Sequence, residues 1–160
     1  DRVYTTEDSL FQYKHFYEQI SKKNVIAINK KTFLINEYKI RPDDCDEFKN
    51  NSALISQLIA TKKIEEIDLA KIHLTKKRRA FKQDSLIYYD ESLKKSPSSG
   101  FNKMDILFSF SNISFNKEYD KAVISIGVLF SRLDGISTLV YLEKKNFHWE
   151  IKCSKVLSIS

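Results

Sequence analysis

From residue 104 onward, apolar and polar side chains alternate along the chain, and this period of two constrains the fold more than any other feature. Ile106, Phe108 and Phe110 alternate with polar neighbours, the phase changes at Ser111-Asn112, and Ile113 and Phe115 follow. After the turn segment Asn116-Lys117-Glu118-Tyr119-Asp120 come Ile124, Ile126, Val128 and Phe130, then Asp134-Gly135. Ile136, Thr138, Val140 and Leu142 run to Lys144-Lys145-Asn146, and Phe147, Trp149, Ile151 and Cys153 close the series. Successive strand residues point to opposite faces, so such runs, broken by turn residues, predict hairpin-connected strands with one buried face. The expectation is an antiparallel β-meander of about four strands over 104–158, with Phe108, Phe110, Phe115, Phe130, Tyr141, Phe147 and Trp149 as its core.

The preceding region reads as helical. Thr5 and Asp8 offer a cap, and Leu10, Tyr13, Phe16, Tyr17 and Ile20 share a helical face ending at Asn24. Val25–Ile28 and Thr32–Ile35 are short β-type runs around Asn29-Lys30-Lys31, consistent with a hairpin or an irregular edge. Beyond Arg41-Pro42-Asp43, a helix is expected to open with Asp44 capping toward Glu47 and to bury Phe48, Ile55, Leu58 and Ile59. Residues 62–83 suit helix or strand, 84–95 look helical with Tyr88 and Tyr89 on one face, and Ser96-Pro97-Ser98-Ser99-Gly100 is a breaker. Helices first and strands afterwards give an α+β class: N-terminal helices, in a helix-rich region over residues 1–95, packed on the C-terminal meander, as a single domain over 1–160. A chain of 160 residues is long enough to bury a substantial core.

Charge is unevenly spread. Residues 71–103 carry nine Lys/Arg against three Asp/Glu, which accounts for the whole net charge of +6. The centre is Lys76-Lys77-Arg78-Arg79, and a clustered basic patch attracts phosphates, an anionic membrane surface or an acidic partner. A solvated linker in a Lys-rich chain is the plainer reading. Lys76, Lys77, Arg78 and Arg79 are nevertheless the candidate binding residues.

No motif announces a reaction. His15, His73 and His148 are scattered, and His148 falls out of phase with Phe147 and Trp149, toward solvent. Gly100, Gly127 and Gly135 never cluster, which removes phosphate-cradling loops. Gly127 within a strand suggests a bulge ahead of a close approach by a ligand. Asp43, Asp44, Asp46 and Glu47 are dense in carboxylates but lack the spacing and central glycine of a calcium loop. No catalytic, metal or cofactor residues are therefore assigned. Cys45 and Cys153 are too few for a disulfide scaffold and lack zinc-site spacing; in an exported protein they can pair, and otherwise Cys153 packs as a small apolar thiol. The chain starts at Asp1 rather than Met, which suggests a processed or trimmed terminus. No apolar run reaches the roughly 18–20 residues of a transmembrane helix.

The stretch Ser98–Phe101, then Ile106–Asn116, then Lys121–Ile126, closing on Leu142–Ile151, resembles an uncharacterised family of bacterial envelope proteins, often lipid-anchored. That resemblance covers about the last 60 residues and implies an exported α+β domain with no assigned activity and no catalytic residue to transfer. The leading expectation is thus a non-catalytic, extracytoplasmic module of the periplasm or cell envelope, binding a protein or envelope component and compatible with peripheral membrane association. The alternatives are an anion or nucleic-acid binder using 71–103, with nucleic acid the weaker option, and a small hydrolase with a dispersed active site.

Overall fold

The computed structural model describes residues 25–72, 86–94, 104–131 and 133–159. The expected first helix and the Lys76–Arg79 cluster lie outside these. At the centre is a six-stranded mixed sheet in the order β2-β1-β3-β4-β5-β6. Its strands are β1 (Ile26–Ile28), β2 (Leu86–Tyr88), β3 (Ile106–Phe115), β4 (Lys121–Leu129), β5 (Gly135–Lys145) and β6 (His148–Ile159). The four long strands form the expected antiparallel meander, joined in sequence by tight turns.

Two short strands extend it. Both β2 and β3 pair parallel to β1, Ile28 lying opposite Tyr88 on one side and Phe108 on the other. This corrects two expectations. Residues 25–35 are no hairpin: Val25–Ile28 feeds the sheet, and Phe33 only bridges to Ser111. Within the expected helix over 84–95, the described residues 86–94 are not α-helical: Leu86–Tyr88 is a strand and Glu91–Lys94 a 3₁₀ turn. Both runs are three residues long, β1 buried inside the sheet and β2 partly exposed at its edge, and so short a run has no period that distinguishes a strand from a helix face.

Among the described residues the α-helices are two, α1 (Asp46–Asn50) and α2 (Ser52–Ala60). They are short and follow β1, so the expected stack of N-terminal helices on a four-stranded sheet is replaced by a mixed sheet with one small helical layer. Asn51 breaks the pair, its backbone N–H returning to the Glu47 carbonyl. Phe48, Leu54, Ile55 and Leu58 point down onto Val123, Leu139 and Tyr141. Phe48 is fully buried, its ring edge-on to Tyr141. Ser111, Ser114 and Ser125, all buried, lie beneath this layer and let α2 come close to β3 and β4.

The phase change at Ser111-Asn112 is a β-bulge within β3, where the register slips between Phe110 and Ile113. The slip deprives the Ser125 N–H of a ladder partner, and the Ser111 hydroxyl accepts it at 2.8 Å. Gly127 is in regular register opposite Ser109, so the glycine marks no bulge. On the opposite face Ile26, Ile28, Ile106 and Val128 form a second core, against which Ile67 and Leu69 pack.

Candidate interaction surface

The strand β6 is the edge of the sheet, and the chain around residues 38–45 is fastened to it. Cys45 caps α1 and forms a disulfide with Cys153, with Cα atoms 6.5 Å apart. Two residues further along β6, Lys155 reaches back, donating to Asp43 Oδ2 and lying 3.2 Å from Asp44 Oδ1. The Asp44 side chain is completely buried. Its Oδ2 accepts from the Tyr38 hydroxyl at 2.6 Å and the Arg41 N–H at 2.8 Å, while Oδ1 has only the ion-pair contact. Asp44 is therefore no helix cap toward Glu47, and α1 has no side-chain cap. Its carboxylate instead folds the 38–44 loop around itself.

Electrostatics in this clamp push every shifted group away from neutrality. Burial, then the hydrogen bond to Asp44, raises the Tyr38 hydroxyl well above its usual range. Burial and the bond to Glu143 do the same for Tyr141, which donates to Glu143 at 2.8 Å. The bond from Lys155 leads the factors that lower Asp43. For Lys155, burial lowers the ammonium, but hydrogen bonds and charges of Asp43 and Asp44 together outweigh it and raise the value. Cys45, Glu47 and Cys153 bring potential metal-binding atoms within 4.8 Å of one another. With both sulfurs bonded to each other, however, the thiolates a soft metal needs are not available. Replacing Tyr38 with Phe should cost about 1 kcal/mol, because Asp44 loses one of two donors to Oδ2 but keeps the other; urea unfolding of Tyr38→Phe against the parent measures it.

The other face of β5 and β6 carries uncovered apolar side chains. Trp149 is 40% exposed, Ile151 52%, Ile159 47% and, across the sheet on β3, Ile113 46%. Trp149 and Phe147 were expected in the core, and both expectations fail. Phe147 occupies the β5–β6 turn and is 92% exposed. Ile151 and Cys153 also lie on opposite faces, despite their spacing of two. A register slip at Lys152 pairs Ile151 with Leu142 but Cys153 with Tyr141, turning the cysteine toward the helices. His148 is exposed, as its phase suggested.

On the helix-bearing face, a shallow groove of about 210 Å³ has Ser109, Gly127, Ser137 and Ser158 along its floor, one from each strand of the meander. A Cβ on Gly127 would meet the Ser109 Cβ at an ordinary 3.6 Å, so the floor is smooth rather than tightly cradled. None of this brings in Lys76, Lys77, Arg78 or Arg79, which lie outside the described residues. The exposed sheet face and the clamp behind it are what sequence reasoning missed. The usable signal was Asn146 followed by an aromatic residue in a two-residue turn.

No match to this chain emerges from known protein families, curated proteins or solved structures. Among the described residues no helix is long and apolar enough to cross a membrane.

Proposed function

We propose that the chain is a non-catalytic interaction module that works outside the cytoplasm and binds a protein or cell-envelope component through the open face of β5 and β6. One observation carries the proposal: Trp149, Ile151 and Ile159 are exposed along one face of an edge strand whose other face is tied down. Exposed apolar side chains aligned on one face of a rigid element suit a contact surface. The Cys45–Cys153 disulfide supports an oxidising compartment.

Affinity capture from an envelope extract tests this with three baits: the parent chain, Ile151→Glu, and a chain with Lys76, Lys77, Arg78 and Arg79 changed to Glu. The expected outcome is a partner lost with Ile151→Glu and kept by the charge-reversed chain. Loss confined to the charge-reversed bait, with release by salt, would instead identify an anion binder acting through the basic segment.

A further inference from the structure

Two turns at one end of the meander hold bulky aromatic residues in a backbone conformation that glycine adopts freely and they do not. Tyr119 has φ of 56° in the β3–β4 turn, and Phe147 has φ of 63° directly after Asn146 at 50°. Lys145 pairs with His148, so Asn146-Phe147 is a complete two-residue hairpin loop with both residues left-handed, the arrangement that favours Asn-Gly. A left-handed phenylalanine is a steric outlier. The fold gains little packing from it, since Phe147 is almost wholly in solvent. Strain retained without an internal return points to a role for the side chain outside the molecule.

The surroundings say which kind. The two turns are joined: the Lys144 N–H donates to the Asp120 carbonyl at 2.7 Å. Tyr119, 65% exposed, packs on Phe115 at 5.5 Å between ring centres, Phe115 packs on Trp149 at 5.8 Å, and Lys144 Nζ sits 5.8 Å from the Trp149 ring. An aromatic array thus runs across the end of the sheet, with Phe147 protruding beyond it. Of the nearby carboxylates, Glu150 is paired with Lys152, while Glu118 and Asp120 accept from Asn116 and Glu143 accepts from the Tyr141 hydroxyl, neutral donors that leave their charge in place. Lys144 and Lys145, both exposed, enter no salt bridge among the described residues.

We infer that this end of the sheet docks on an anionic lipid bilayer. Phe147 enters the boundary of the acyl chains, Trp149 and Tyr119 lie at headgroup depth, and Lys144 and Lys145 face lipid phosphates. Aromatic rings with a polar end, set beside lysines, suit that zone. A protein partner would have to supply a pocket for a convex tip with one side chain at its apex; a bilayer needs none. The inference rests on the open face being the working surface, and it names the partner.

Trp149 is the only tryptophan, so its emission reports the site directly. The full chain is titrated with vesicles of phosphatidylcholine alone and with about one-third phosphatidylglycerol, alongside co-sedimentation. A blue shift and sedimentation with the anionic vesicles are expected. Phe147→Gly should weaken partitioning about tenfold or more, while its melting midpoint stays at or above that of the parent as the turn relaxes to Asn-Gly. Lys144→Gln with Lys145→Gln should weaken binding to anionic vesicles and reduce its salt sensitivity. Absence of a Trp149 shift in the parent chain, or undiminished binding by Phe147→Gly, overturns the inference. So does a clearly lowered melting midpoint in Phe147→Gly, which would give the side chain a role within the fold. If vesicles fail while capture sensitive to Ile151→Glu succeeds, the partner is a protein: the lipid inference falls and the interaction module stands.

Discussion

Opening the Cys45–Cys153 disulfide should lower the free energy of unfolding by about 3–5 kcal/mol, the largest effect expected from any single covalent change in this chain. The two cysteines are 108 residues apart in sequence. Cross-linking so long a loop removes much of the unfolded chain's freedom, and the stabilisation grows slowly with loop length toward the upper end of the observed range. The native side adds to it. The bond joins the start of α1 to the edge strand, and Cys45 and Cys153 both pack against the cluster of Phe48, Leu58, Val123 and Tyr141. Urea unfolding with and without dithiothreitol reads the difference. Cys45→Ser and Cys153→Ser should each unfold at the midpoint of the reduced parent and be insensitive to reductant. A parent chain whose midpoint is unmoved by full reduction would show that packing and the Lys155 contacts hold the edge unaided. The same experiment bears on location, because a large loss on reduction would suit a compartment where thiols stay oxidised.

How much of this was legible in the sequence differs between elements, for physical reasons. The meander was legible because long strands with one buried face repeat the period-two signal many times over. The phase change at Ser111-Asn112 was legible too, since it puts two polar residues side by side, although the bulge it marks was expected at Gly127. The slip at Lys152 left no such mark: Ile151 and Cys153 are both compatible with burial, so a change of face between them preserves the alternation. The short strands β1 and β2 carry three residues each, too few for a period, and β1 pairs in parallel with β2 and β3, both of which lie far along the chain.

The candidate surface was harder still. Phe147 and Trp149 looked like core because an aromatic residue in phase with a strand usually is. What places Phe147 outside is the hairpin geometry, in which Lys145 and His148 pair and leave Asn146-Phe147 as the turn. Asp44 looked like a helix cap because it is an acid before an apolar run. Its actual role depends on Tyr38, Arg41 and Lys155, and only the fold brings Lys155 to it.

That three-sided arrangement around Asp44 makes Lys155→Met a second large perturbation, expected to cost about 2 kcal/mol at neutral pH. Removing one partner of a buried charge leaves the other uncompensated in a poorly solvated place, commonly at a cost of about 3–5 kcal/mol. The lower value applies because Lys155 retains contact with solvent, which screens its attraction, and because Tyr38 and Arg41 still donate to the carboxylate. Methionine keeps the packing of the aliphatic stem, so the loss reports charge rather than volume. Adding Asp44→Asn to Lys155→Met should recover some of the loss, since a neutral amide oxygen still accepts from Tyr38 and Arg41. The pH dependence has a defined sign. Asp43 titrates below its ordinary 3.8, chiefly through the bond from Lys155, so its stabilisation is present above that value and is lost as pH falls through the folded one. Lys155 titrates above its ordinary 10.5, so its contribution is complete below that pH and is lost as pH rises through the folded value. Lys155→Met should therefore flatten the acid limb of the stability profile. A decline beginning above pH 10.0 should persist in the variant, because Tyr38 and Tyr141 remain protonated in the fold beyond the point where the unfolded chain ionises them. An acid limb in Lys155→Met superimposable on that of the parent would show that Asp43 does not draw its stabilisation from this lysine.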